Sequence, residues 1–133
     1  MAFVLDASVT IVWAMKDEAH PLADLVLKQL DMEEALVPAI WWYEVRNILV
    51  INERRKRISE SDASKFLRDL VDFPIRMTDI SDHSDLLKLA RQFGISVYDA
   101  AYLELAIRER IPLASLDKAL RTAAQAASVP LLA

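Results

Sequence analysis

Along the chain, short apolar runs alternate with longer stretches in which apolar residues recur every three or four positions. The first run, FVL at 3–5, is closed by Asp6 and suits a buried strand; from Ser8 the spacing turns helical. Pro21, a favourable first-turn residue, opens a predicted helix over PLADLVLKQLDME. ALVP at 35–38 predicts a second strand, and IWWYEVRNILVINERRKR a long helix with one apolar stripe. Ser59 or Ser61 can cap an amphipathic helix over SDASKFLRDLVDF. The proline-interrupted FPIRMTDI then suits a strand near a sheet edge, because proline gives no N–H to a ladder. SDHSDLLKLARQF predicts a helix stopped at Gly94 by a left-handed cap, and Ser96 opens another that ends near Pro112. PLASL, DKALRTAAQAA and VPLLA supply strand, helix and strand.

Strands alternating with helices predict an α/β fold: a three-layer α/β/α sandwich whose mainly parallel sheet of about five short strands is covered on both faces. No linker, repeat or low-complexity run interrupts the alternation, so residues 1–133 read as a single domain. In such sheets, sites form beyond the carboxyl ends of the strands.

Composition narrows the chemistry. With 54% hydrophobic and 27% charged residues the chain suits a packed globular protein rather than a disordered one. Beyond the N-terminal region the uncharged stretches, such as Ala35 to Tyr43 and residues 122–133, fall well short of the roughly 18 residues of a membrane span. The opening MAFVLDASVTIVWAM lacks a basic leader and carries Asp6 within its apolar run, so it reads as mature structure rather than a secretion signal. The absence of cysteine removes disulfides, thiolate nucleophiles and sulfur-ligated zinc, and agrees with a reducing cytoplasm. With Gly94 the one glycine, neither a Walker loop nor a GxGxxG turn can be written. His20 and His83 cannot form an HExxH site, and each stands at an expected helix start, where a solvated role is the default. The net charge of −4 does not favour loose attraction to nucleic acid, which would need a local basic patch or bridging cations.

The acids are more informative. Asp6 follows the first strand directly, and Asp117 follows the strand in LASLDKAL, so both fall at carboxyl ends of strands. Asp99 sits in the first turn of the helix leading into that last strand, among Val97, Tyr98, Ala100, Ala101 and Leu103. Glu44 shares a stripe with Trp41, Ile48 and Ile51, which turns it inward. Taken singly, each has an ordinary structural role: Ser96 and Asp99 fit a capping box, Asp117 or Ser115 can cap a helix, Asp6 can close a turn onto Ser8, and Glu44 can lean out to solvent. Capping does not require all of them at one end of one sheet, and it leaves Glu44 on an apolar stripe unaccounted for. Four carboxylates in one cleft repel by several kcal/mol at intermediate dielectric unless one is protonated or a cation intervenes. An all-oxygen donor set without sulfur or clustered histidine selects a hard ion, Mg²⁺ or Mn²⁺.

FVLDASV, YEVRN, VYDAAYLELA and LASLDKAL, in that order and spread over nearly the whole chain, resemble the successive signature segments of the PIN-domain nucleases. The likeness is closer still to the VapC-type toxins of bacterial and archaeal type II toxin–antitoxin pairs. Carried over residue by residue, it implies metal binding and catalysis at Asp6, Glu44, Asp99 and Asp117, with Ser8, Asn47 and Ser115 at small polar supporting positions. It also implies an endoribonuclease, a homodimer, and inhibition by a cognate VapB-type antitoxin lying in the catalytic groove. In such an enzyme Mg²⁺ or Mn²⁺ lowers the pKa of a water for in-line attack on a phosphodiester, leaving a 5′ phosphate and a 3′ hydroxyl.

RNA must still approach an acidic protein. Arg46, within a turn of Glu44, and the run Arg54, Arg55, Lys56, Arg57 are the expected phosphate or antitoxin contacts, although cations also suit a helix end on electrostatic grounds alone. Trp41 and Trp42 suit core or dimer interface more than base stacking. Two rival phosphate chemistries fit less well. A haloacid-dehalogenase-type phosphotransferase needs an acid two residues after the first, where this chain has Ser8, and a receiver domain needs an acidic pair ahead of Asp6. A catalytically silent binding module is disfavoured by the presence of all four acids.

Overall fold

A computed structural model describes residues 1–80 and 83–132, with no side-chain description at residues 83 and 84. The strands are β1 (Phe3–Leu5), β2 (Ala35–Val37), β3 (Ile75–Met77) and β4 (Leu113–Ala114). The helices are α1 (Ala7–Thr10), continued by a 3₁₀ turn at Ile11–Ala14, α2 (Pro21–Gln29), α3 (Ala39–Arg54), α4 (Glu60–Leu70), α5 (His83–Phe93), α6 (Val97–Glu109) and α7 (Lys118–Ala126). The start expected for α5 at Ser81 and Asp82 lies outside the described residues.

The sheet is parallel throughout, in the order β3-β2-β1-β4, and helices flank it as an α/β/α sandwich requires. β1 and β2 are buried along their whole length, as central strands covered on both faces must be, whereas β3 is the half-exposed edge anticipated from its proline. The expected fifth strand in VPLLA is present as one parallel bridge between Leu131 and Leu113. Leu113 N–H donates to the Pro130 carbonyl and Leu132 N–H to Leu113, but Pro130 has no N–H with which to lengthen the ladder.

Between β1 and its two neighbours the connections run opposite ways: β2 and β3 build outward on one side, β4 docks on the other. That reversal opens a crevice at the carboxyl ends of β1 and β4.

Helix boundaries follow local chemistry. His20 caps α2 through Nδ1, which accepts the Leu22 N–H, and Ser59 and Ser96 cap α4 and α6. α5 ends at Gly94 (φ +63°) with Ile95 N–H bonded to the Ala90 carbonyl, a Schellman closure. The same closure recurs at Lys56, Arg110 and Ser128, all in the left-handed region without being glycine. The closure at Lys56 also stops α3 at Arg54, although the apolar spacing predicts helix as far as Arg57.

Candidate active site

Asp6 leaves the sheet at the end of β1 as a residue only 5% exposed. One oxygen, Oδ2, accepts hydrogen bonds from the Ser8 hydroxyl at 2.6 Å and the Ser115 hydroxyl at 2.7 Å. Each hydroxyl also accepts a backbone N–H: Ser8 from Leu116 at 2.9 Å and Ser115 from Asp117 at 3.0 Å. Asp6 N–H donates in turn to the Ala114 carbonyl. These bonds join the turn after β1 to the turn after β4, and so set Asp117 against Asp6. Behind them Thr10 Oγ1 donates to the Asp6 carbonyl and accepts Trp41 Nε1–H at 3.0 Å, which holds the start of α3 on the same turn.

Glu44, half-buried on α3, accepts the Tyr102 hydroxyl on Oε1 at 2.6 Å. Asp99 occupies the first turn of α6, its N–H taken by Ser96 Oγ and its carboxylate half-buried. Asp117 caps α7 by accepting the Ala119 N–H. The caps expected from Ser96 and Asp117 are therefore present, and they coexist with a shared electrostatic environment.

Burial raises the pKa of Asp6, against the two serine hydrogen bonds that lower it, and the charge of Asp117 raises it further. Burial likewise raises Glu44, partly offset by Tyr102 and reinforced by Asp6 and Asp117. Asp99 is pushed up to about 6, first by burial, then by the charges of Asp117 and Asp6, by a hydrogen bond with the Asp117 side chain, and by Glu44. The Tyr102 hydroxyl is shifted upward by burial and by the charges of Asp6 and Glu44. The charges acting on Asp6, Glu44 and Asp99 are those of other acids, so a cation among them would relieve all three. Among the described residues no three such side chains stand close enough to share an ion as they are placed. The donors are carboxylate and hydroxyl oxygens, which suits a hard divalent ion.

A sequence model of the PIN domain matches residues 3–126. The chain belongs to the PIN domain family. It is similar to Ribonuclease VapC3 of Pyrobaculum aerophilum, with 32% identity over 124 residues that make up 90% of this chain and 92% of that protein. Two solved structures share the PIN fold with it. VapBC2 from Rickettsia felis, bound to a DNA fragment from their promoter, superposes with a TM-score of 0.69 at 15% identity over 98% of this chain and 97% of its own. A toxin–antitoxin complex from Klebsiella pneumoniae gives 0.62 at 16% identity, over 88% and 87%.

Of the remaining expected contacts, Asn47 and Arg46 lie near Glu44 on α3, and the basic run lies at the other end of that helix. Asn47 is exposed, one turn beyond Glu44 on α3. Arg46 lies 3.6 Å over the Trp42 ring and donates to the Trp42 carbonyl, which keeps its guanidinium on the helix surface. Arg57 is engaged by Glu18 at 2.7 Å, Asp17 at 3.4 Å and Asn52 Oδ1 at 3.2 Å, and so braces the end of α3. Arg54, Arg55 and Lys56 are exposed beside it. Trp41 is core, and Trp42 is exposed with Tyr43 edge-on to it. Two residues at the site lie outside the sequence expectations: Thr10, which has no distinguishing spacing, and Tyr102, which follows Asp99 by three positions and so shares its helix face.

Proposed function

We propose that this PIN-domain chain is a metal-dependent endoribonuclease, the toxin of a toxin–antitoxin pair, which hydrolyses RNA phosphodiesters. The observation that carries the proposal is that Asp6, Glu44 and Asp99, acids from distant segments at the switch point of the sheet, each have the carboxyl raised in part by the charge of neighbouring acids, Asp117 among them. Asp6 and Asp99 would be the central ligands of Mg²⁺ or Mn²⁺, with Glu44 and Asp117 binding directly or through water.

When bound, the cation supplies charge that acidifies an attacking water and offsets the leaving 3′ oxygen. The protein's own work is arrangement. Ser8 and Ser115 hold Asp6 Oδ2, which leaves Oδ1 for the ion. Glu44 or Asp117 takes the proton of the attacking water, and no protein nucleophile is needed. Arg46, Arg54, Arg55 and Lys56 contribute phosphate contacts that a protein of net charge −4 otherwise lacks.

The relative's name, a ribonuclease, and the toxin–antitoxin complex among the structural neighbours support this reading. From the resemblance to VapC-type toxins we also infer that the chain works as a homodimer and that a cognate VapB-type antitoxin silences it by covering the cleft; the toxin–antitoxin complex among the structural neighbours supports the antitoxin. The test is cleavage of structured RNA by purified chain stripped of any partner. Products with a 5′ phosphate and a 3′ hydroxyl are expected in Mg²⁺ or Mn²⁺, and none with chelator. Cleavage that persists in chelator, or none with either ion, would contradict the proposal.

A further inference from the structure

Tyr102 is among the largest fully buried side chains of the protein, yet its hydroxyl is spent on a single carboxylate oxygen, Glu44 Oε1, 58 residues away and at 2.6 Å. The bond is short, as expected where the acceptor is ionised. Among the described residues the other oxygen, Oε2, accepts no hydrogen bond. A buried phenol on α6 therefore fixes which way the carboxylate on α3 is turned. An inward-facing glutamate has three freely rotating side-chain bonds, and the tyrosine removes that freedom from one end. The arrangement parallels the opposite wall of the cleft, where the Ser8 and Ser115 hydroxyls both hold Oδ2 of Asp6.

Because α6 also carries Asp99, one face of that helix both presents an acid and orients another. We propose that Tyr102 is a positioning residue: its hydroxyl orients Glu44 so that Oε2 is presented to the divalent cation, and it couples the α3 and α6 halves of the site. This rests on the metal-site reading above. Partners of this kind, which bind a ligand rather than the metal, change metal affinity or activity by about 10–100-fold when removed.

The test uses the full chain, without antitoxin, and Mn²⁺ alone as the probe. Mn²⁺ affinity is measured by calorimetric titration for the parent, Tyr102→Phe, Glu44→Ala and the double variant. Tyr102→Phe keeps the ring that fills the core, and thermal unfolding without metal reports on folding in each protein. The expected result is an affinity weaker by about 10-fold or more in Tyr102→Phe, and no further loss when the same change is made in Glu44→Ala. A merely structural role would weaken both backgrounds alike, and that result overturns the proposal, as does parental affinity in Tyr102→Phe. If the parent itself binds no Mn²⁺, the metal-site reading falls and this inference falls with it. A parent that binds Mn²⁺ alongside a Tyr102→Phe that binds equally well refutes the inference alone.

Discussion

Asp99 carries two roles at one position. Its backbone N–H completes the Ser96 cap, and its side chain faces three other acids. The first role was legible in the spacing from Ser96, and the second was legible in the surrounding apolar residues, which leave a carboxylate little water. A carboxyl raised to about 6 binds its proton more tightly in the folded protein than in the unfolded chain. The resulting stabilisation is full below the ordinary carboxylate range and is lost as pH rises through about 6. Metal-free parent should therefore lose stability relative to Asp99→Asn between about pH 4 and pH 6.5, by on the order of 1 kcal/mol once solvent screening of a half-exposed group is allowed for. Urea unfolding of both proteins across that range checks it; parallel curves would contradict the shared field. Ser115 gives a second residue-level prediction. Ser115→Ala removes a donor from buried Asp6 and an acceptor from the part-buried Asp117 N–H, and should cost about 1–3 kcal/mol in the same measurement. Tyr102 was not singled out from sequence, because a tyrosine in an apolar helix looks like core until its hydroxyl partner, 58 residues away, is known.

At the level of elements, type was more legible than extent. The prolines, capping serines and Gly94 carry local signals, and the corresponding strands and helices lie where those signals place them. The end of α3 was less visible: Lys56 adopts φ +59° without being glycine, so nothing in its identity announces the stop. Arg57 then folds back onto Asp17 and Glu18, a contact that no local pattern reveals. Three helices closed by left-handed non-glycine residues store strain, since that conformation costs an ordinary residue about 1–2 kcal/mol. Arg110→Gly at the end of α6 should therefore raise stability by about 0.5–1 kcal/mol, after the extra flexibility glycine gives the unfolded chain is counted. Thermal unfolding of the variant reads this directly, and a lower midpoint would contradict it.

Across the whole molecule, the alternation of strands and helices was enough to place Asp6 and Asp117 on one rim, because parallel strands end on the same side. The neighbour order was not legible, since β1 pairs with β4 across more than a hundred residues and no local signal encodes that choice. That pairing makes the cleft and concentrates acids in a protein already at net charge −4. A ligand that neutralises them should stabilise the fold as a whole: Mn²⁺ at about a hundred times its dissociation constant should add about 2.7 kcal/mol and raise the unfolding midpoint by several degrees. The gain should vanish in Asp6→Asn. The most direct measurement is anomalous diffraction from a crystal of the chain soaked in Mn²⁺. A peak bounded by Asp6, Glu44, Asp99 and Asp117 is the predicted result; a crystal in which manganese binds elsewhere while these four carboxylates stay apart would contradict the account.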